Sequence, residues 1–518
     1  MQKNELRIDI LGTEITISAD EEPEYLDRLL DKYKRNIEDI QNKTGLKDPL
    51  KTAILTGFLL CDDLEKAKTE QSPGEAEQLT MGMISRLDEI VLGKEILTNE
   101  TPAPIDAEPN SGKTTYFLKN IIKNYDWGSS DLLPDFMNRK NPDRIPWAEL
   151  WMGVNLMGPS QVTSYGGTGK SLLDVIDQDK ENLLGKETAG KYGTLPFLYK
   201  VLAVEKPLSI QAHPNIEQAR AGFERENREG KPLDAPNRNY RDSNHKPEIL
   251  CALGPFTALC GFREEREIRN LVEILSIACG DGLKTCLDRL FSALNGENSL
   301  KDFLAVLYDI GSETLKIFGA FIKTEMESLE KDFPEYKDEW ELCVYLSNIY
   351  PGDPGILAPL FLNIIKLENG EAIFIPQGVF HSYIKGMGIE LMADSDNVLR
   401  GGLTSKYVDR EELFKILNFS EYKPEIMKAP DHATPYYTYP TPCEEFSLSV
   451  MLGESGHVSN PYPEKGPSIM LVTDGFTVVP TGEAFSPRVN KGMSIFIPAG
   501  MDLKFSWDFT AYIASVPV

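Results

Sequence analysis

The sequence predicts a mainly β body interrupted by a helical insert, behind a small α/β module at the amino terminus. Three observations carry that prediction. Short apolar runs bounded by turn residues alternate from about residue 115 to Arg263 and return from Gly355 onward. Residues 264–349 switch to apolar positions three and four apart. The first hundred residues join two strand-like runs to helical patterning.

The elements follow in order. Arg7 to Ile17 reads as two short strands around Gly12, with Ile8, Ile10, Ile15 and Ile17 as the apolar positions. A helix is expected from Glu22 to about Asn42, because Leu26, Leu29, Leu30, Tyr33, Ile37 and Ile40 fall on one face, and Gly45 fits its stop. Asp48-Pro49 opens a second helix, with Asp as cap and Pro in the first turn, running to Glu70. Ser72-Pro73-Gly74 breaks it, and a shorter helical stretch follows from Glu75 to Leu92. These elements make a module over residues 1–96. Residues 97–112, LTNETPAPIDAEPNSG, have the composition of a linker.

The body then comprises residues 113–263 and 356–429, with the helical insert at 264–355 marked by Leu271, Ile274, Leu275, Leu304, Leu307 and Tyr308. Residues 430–518 form a carboxy-terminal domain whose histidines, His432 and His457, sit in no metal-like cluster. LENGEAIFIPQG and KGMSIFIPAG read as matching β-turn-β units, one for each of two related β halves.

Composition excludes several functions. A chain of 518 residues is long enough for about two to four domains. Its 41% hydrophobic and 26% charged residues are those of a water-soluble globular protein. No stretch approaches the roughly 18 apolar residues of a membrane span, and MQKNELRIDILG lacks the pattern of a signal peptide. Seven cysteines with no CxxC pair imply reduced thiols and a cytoplasmic location. A formal net charge of −26 argues against nucleic-acid binding. It leaves room for a small phosphorylated ligand, because a few cations in one cleft outweigh distant screened charges. Two glycine-rich runs imitate phosphate loops. Ala107 to Thr114 has no preceding strand and lacks the first glycine, and Gly166 to Ser171 lacks it too, so both read as surface segments.

The chemistry-bearing residues cluster in three segments. In PLSIQAHPN, Ser209, Gln211 and His213 share one face of an extended strand while Leu208, Ile210 and Ala212 share the other. In NHKPEIL, Lys246 and Glu248 fall on one face and His245 on the opposite one. His381 follows the Pro376-Gln377-Gly378 turn. Imidazole and carboxylate suit zinc, and an amide oxygen is a weaker fourth donor, so Gln211, His213, Glu248 and His381 form a candidate ligand set. Read singly, each histidine is more often a structural residue, and spacing does not bring the three segments together.

Six ordered segments add what spacing does not: YDWG at 125–128, AELWMGVNLMGPS at 148–160, LPFLYKVLAVEKPLSIQAHPN at 195–215, PLDAPNRNYRDSNHKPEIL at 232–250, FTALCGFR at 256–263 and SDNVLRGGLTSKYVD at 395–409. Through them residues 115–518 resemble the type I mannose-6-phosphate isomerases. The resemblance implies cupin-type jelly-roll barrels with a helical insertion and one zinc ion per chain on Gln211, His213, Glu248 and His381. It also implies a hexose 6-phosphate substrate and an active-site arginine at Arg400. Residues 5–70, from RIDILGTEITISADEEPEYL through NKTGLKDPLKTAIL, resemble the ZapA-like division proteins. That likeness implies self-association or binding to division filaments, although the broken second helix departs from the family's long coiled coil.

Aldose–ketose isomerisation needs a base that shuttles a proton between adjacent carbons and a positive group that holds the enediolate. Lys246, His245, Glu390 and Asp396 are the candidates for the shuttle, and the strand alternation favours Lys246 over His245. Ser209, Lys246, Arg400 and Lys406 are candidates for holding phosphate. The alternative is a division-associated scaffold whose isomerase domain has decayed. A different metal-dependent cupin is a third reading, disfavoured by the Gln and Glu ligands.

Overall fold

Two antiparallel sheets and a bundle of helices account for the body of the protein. The computed structural model describes residues 4–10, 13–19, 30, 33–35, 37, 114–163, 169–429, 435–453, 460–479, 488–505 and 508–518. Its contacts divide the chain into two units, Met1–Ile105 and Asp106–Val518.

In the first unit the strands Asn4–Ile10 and Thr13–Ala19 pair antiparallel with Ile8 opposite Ile15, the hairpin expected around Gly12. Leu30, 33–35 and Ile37 are helical. The rest of the first expected helix, all of the second, the linker 97–112 and the Ala107 segment up to residue 113 lie outside the described residues, as do most of the Gly166 segment, His432 and His457.

In the second unit an eleven-stranded sheet carries Glu149–Met152, Phe197–Val204, Ile210–Ala212, Glu248–Ala252, Phe256–Phe262, Glu371–Ile375, His381–Ala393 and Leu399–Gly402. Phe197–Val204 is buried along its whole length, as a strand covered on both faces must be. An eight-stranded sheet is built from the carboxy-terminal strands, joined by Tyr116–Lys119 and Gln161–Thr163 from early in the unit. The two IFIP segments end strands in different sheets, Glu371–Ile375 in the larger and Ser494–Ile497 in the smaller. A shared apolar core, with Tyr199, Val201, Ile389 and Leu391 from one sheet and Leu448, Ile469, Phe496 and Tyr512 from the other, joins the two. This is the mainly β, cupin-type architecture with a helical insertion.

One strand organises the larger sheet. The amino-terminal end of His381–Ala393 pairs with Phe256–Phe262 and Ile210–Ala212, whereas from Gly386 onward it pairs with Phe197–Val204 and Glu248–Ala252. Gly386 makes the change of partners with φ 127°, and a Cβ there would lie 2.6 Å from the Pro255 carbonyl oxygen, so only glycine fits.

Five helices, from Glu265–Ala278 to Lys337–Ile349, occupy the expected insert. Their apolar faces form one core with Ile210, Ala212, Leu259, Phe380, Leu399 and Leu403, so the helices pack on the strand ends that carry the candidate site. Each fully buried Leu, Ile or Phe contributes roughly 1.5–3 kcal/mol.

Helices also occur where only strands and turns were expected, over Leu172–Gln178 and Ile216–Arg228 among others. The second opens with a capping box between Asn215 and Gln218 immediately after His213-Pro214. It buries only Ala219, Gly222 and Glu226, so its apolar period is nearly silent in the sequence. No helix among the described residues is long and apolar enough to cross a membrane.

Candidate metal centre

Sheet register assembles the centre. Gln211, in the middle of Ile210–Ala212, pairs with His381 on one side and with Arg400 on the other. Ile210 and Ala212 turn into the helical core, which leaves Gln211 on the opposite face. Glu248 opens the neighbouring strand opposite Met392 of the strand that His381 begins.

His213, Glu248 and His381 then present one ligand atom each, all within 4.8 Å of one another and all buried. His213 Nδ1 donates to the Asn397 carbonyl at 2.8 Å and His381 Nδ1 donates to the Val379 carbonyl at 2.9 Å. Because a carbonyl only accepts, each ring carries a proton on Nδ1, and in its neutral form it aims a bare Nε2 lone pair inward. Those Nε2 atoms stand 3.2 Å from the two oxygens of Glu248. His213 Nε2 and Glu248 Oε1 are buried without a hydrogen bond.

Two imidazole lone pairs against a carboxylate repel unless a cation lies among them. Protonating His213 is disfavoured: burial, and then the charge of Lys246, lowers its pKa to about 4 against the pull of Glu248. Donors around a tetrahedral zinc ion at about 2.0–2.1 Å stand roughly 3.3 Å apart, close to the separations seen. Gln211 Nε2 is 3.4 Å from His381 Nε2, and turning the amide over sets its oxygen toward the same point. The donor set therefore fits zinc. Burial opposes the ionisation of Glu248, but Lys246, whose Nζ is 3.0 Å from Oε1, outweighs it with the histidines and holds the carboxyl well below its usual range.

A polar clamp backs this centre. The Asn397 side chain accepts from the backbone N–H of Arg241 at 2.7 Å and of Asp242 at 3.2 Å, and donates to the carbonyls of Asp242 and Asn244 at 2.9 Å each. Asp242 in turn accepts from Ser395 Oγ and from the Asp396 N–H. The carbonyl that orients His213 is thus fixed by the side chain of its own residue. Tyr383 adds a hydroxyl 3.3 Å from Glu248 Oε2.

The other sequence candidates divide into groups. Glu390 faces Lys200 across the sheet, and their charges meet at 2.7 Å, with Glu149 3.8 Å from the same ammonium and Trp151 hydrogen-bonded to Glu149. Burial raises the Glu390 pKa, Lys200 opposes, and Glu248 adds to the rise. Lys246 lies beside Glu248, whereas His245 turns away, with Nε2 2.8 Å from Glu445 and Nδ1 2.9 Å from Gln377. The Asp396 backbone is bound into the clamp. Ser209 is half-buried just before the strand Ile210–Ala212.

Arg400 and Lys406 share their surroundings with Arg241. Burial and then Arg241 lower the Arg400 pKa, and burial followed by Arg400 and Arg241 lowers that of Lys406. None of these three side chains has a carboxylate partner among the described residues, so in a chain of net charge −26 they form a cationic cluster lacking its anion.

Lys200, Glu149, Asn397 and Arg241 were not singled out from the sequence. A signal existed for the first two: a lone charge in LPFLYKVLAV or AELWMGVNLM, runs otherwise apolar enough to be buried, demands a partner. Nothing in the sequence marks Asn397.

Comparison with known proteins agrees with this architecture. Residues 116–265 match the family described as phosphomannose isomerase type I, catalytic domain, and residues 6–91 match cell division protein ZapA. The mannose-6-phosphate isomerase of Escherichia coli K12 is 36% identical over 384 residues, 74% of this chain and 94% of its own length. That of Salmonella typhimurium is 38% identical over 335 residues, 64% of this chain and 82% of its own. A crystal structure of zinc-bound mannose 6-phosphate isomerase superposes with a TM-score of 0.71 at 33% identity, covering 78% of this chain and all of that one. With its body matched along nearly the whole length of such relatives, the chain belongs to the type I mannose-6-phosphate isomerase family, and it carries a ZapA-matching segment ahead of that body.

Proposed function

We propose that this chain interconverts mannose 6-phosphate and fructose 6-phosphate, with one zinc ion held by Gln211, His213, Glu248 and His381. The observation that carries this reading is the pair of Nδ1-tethered imidazoles whose Nε2 atoms face the two oxygens of Glu248 at 3.2 Å. When bound, zinc supplies a Lewis acid that polarises the sugar oxygens.

The remaining work falls to side chains. Glu390, close enough to Glu248 and Lys246 to feel their charges, is the base that takes the proton from one carbon and returns it to the next. Burial raises its pKa above that of an ordinary carboxylate, which makes it a stronger base, while Lys200 opposes the rise. Lys200 keeps the carboxylate oriented. Lys246 adds positive charge where the enediolate oxygens develop. Arg400, Lys406 and Arg241 take the phosphate, with Ser209 as a further hydroxyl, and Asp396 keeps a supporting place in the clamp.

A coupled assay on mannose 6-phosphate, before and after chelation and with zinc restored, tests the proposal. Activity that chelation abolishes and zinc restores is expected. A folded, zinc-loaded protein without activity would overturn it in favour of a division-associated scaffold. For the amino-terminal segment, the match over residues 6–91 supports self-association or filament binding. Light scattering with and without residues 1–110 tests self-association, and an unchanged number of chains per particle would refute it.

A further inference from the structure

We propose that Asp353, assisted by Tyr308, is a positioning residue for the Arg400–Lys406 segment, so that the helical insertion sets the anion-binding end of the active site. The proposal rests on the reading of Arg400 as an anion-binding group.

The chain immediately after Arg400 takes an unusual path. Gly402 has φ 147° and Leu403, not a glycine, has φ 52°. Such a conformation is sparsely populated and persists only where the surroundings over-determine it. Here they do. Asp353 Oδ1 accepts the Leu403 N–H at 2.8 Å and the Gly355 N–H at 2.7 Å, while Oδ2 lies 3.4 Å from the Thr404 nitrogen. The Tyr308 hydroxyl donates to the Gly401 carbonyl at 2.5 Å. The Leu403 side chain, 1% exposed, is buried in the helical core.

Space is as constrained as the hydrogen bonding. A Cβ on Gly401 would come 2.1 Å from Phe380 and 2.6 Å from the Tyr308 hydroxyl, and one on Gly402 would come 3.0 Å from Asp353 Oδ1. Arg400 is therefore held on one side by its register with Gln211 and on the other by groups of the insert and the turn that ends it. Its guanidinium has no carboxylate partner among the described residues, so the hold on this residue comes from its backbone neighbours and not from an ion pair. The Lys406 N–H bonds to the Thr404 hydroxyl at 3.1 Å, which extends the same hold to the second cation.

Asp353→Ala, Asp353→Asn and Arg400→Ala in the full chain test this, with KM and kcat for mannose 6-phosphate, calorimetric binding of inorganic phosphate, and zinc content as readouts. Asp353→Ala is expected to weaken phosphate binding and raise KM by at least about tenfold, with zinc content unchanged. Asp353→Asn retains an oxygen for the two Oδ1 bonds and should recover most of the loss. Phosphate affinity and KM within twofold of the parent in Asp353→Ala, while Arg400→Ala is impaired, would overturn the positioning role. An Arg400→Ala chain with unaltered phosphate affinity would overturn the anion-binding reading and the proposal with it. Should Asp353→Ala fail to fold, Tyr308→Phe, which removes only the bond to Gly401, carries the test. A threefold or larger rise in KM is expected, and no rise refutes it.

Discussion

Replacing Asn397 by alanine should weaken zinc binding through a residue that donates no ligand atom. Its amide makes five contacts of 2.7–3.2 Å to Arg241, Asp242 and Asn244. Each such bond is worth about 0.5–1.5 kcal/mol net. Since water enters where the amide is removed, a loss of roughly 2–4 kcal/mol in the stability of the metal-free chain is expected. The consequence for the centre travels along the chain, because the backbone carbonyl of this same residue holds His213 Nδ1 at 2.8 Å. Freeing that carbonyl releases the ring orientation and tautomer, which costs about 10- to 100-fold in metal affinity when second-layer partners are lost. Competition against a chelator of known affinity measures the zinc dissociation constant, and urea unfolding of the metal-free protein measures the fold. A zinc affinity within twofold of the parent beside a large loss of stability would refute the tether, leaving Asn397 as loop support alone. Asn397→Asp should be no better, because its carboxylate would face that of Asp242, whose Oδ1 lies 3.1 Å from the present amide nitrogen.

Lys200→Met removes the ammonium between Glu390 and Glu149 and leaves buried carboxylate charge uncompensated, so unfolding in urea at pH 8 should show a loss of about 3–5 kcal/mol; a loss below about 1 kcal/mol would contradict the pairing. Burial raises the Asp394 pKa to about 6. The native chain then keeps this proton between about pH 6 and the ordinary value near 3.9, so the group's contribution to stability rises as pH falls through that window. Above it, ionised Asp394 costs on the order of 1–3 kcal/mol. Asp394→Asn, which still accepts from Asn155, should exceed the parent's stability at pH 8 and equal it at pH 4; identical stability at pH 8 would refute the shift.

How much of this could be read from residues alone depended on whether neighbours in sequence or in register decide the matter. Strand alternation places Lys246 beside Glu248 and turns His245 the other way, and the structure has Lys246 3.0 Å from Glu248 with His245 on Glu445. The helical insert announces itself because its apolar faces are wide and regular, as in Glu265–Ala278. By contrast, Lys200 and Glu390 are 190 residues apart and meet only because two strands align one against the other. The short helix Ile216–Arg228 hides behind a polar surface, since almost none of it is buried. Asn397 and Asp353 act on backbone groups, whose positions leave no mark on composition or periodicity. The assembly of Gln211, His381 and Arg400 in one row likewise depends on register.

The way the chain enters its body has a mechanical consequence. Its first described strand there, Tyr116–Lys119, is clasped on both edges, by Ser494–Ile497 and by Gln161–Thr163, in the sheet that carries none of the candidate metal ligands. The next residue, Asn120, is bolted to Ser494 and Ser160 by hydrogen bonds of 2.7 and 2.8 Å before the chain crosses to the larger sheet at Ile121–Lys123. A pull at residue 114 directed along this strand would load both ladders in shear, where many bonds must yield together. The strand nearest residue 114 is thus secured in the smaller sheet, apart from the strands that carry Glu248 and His381.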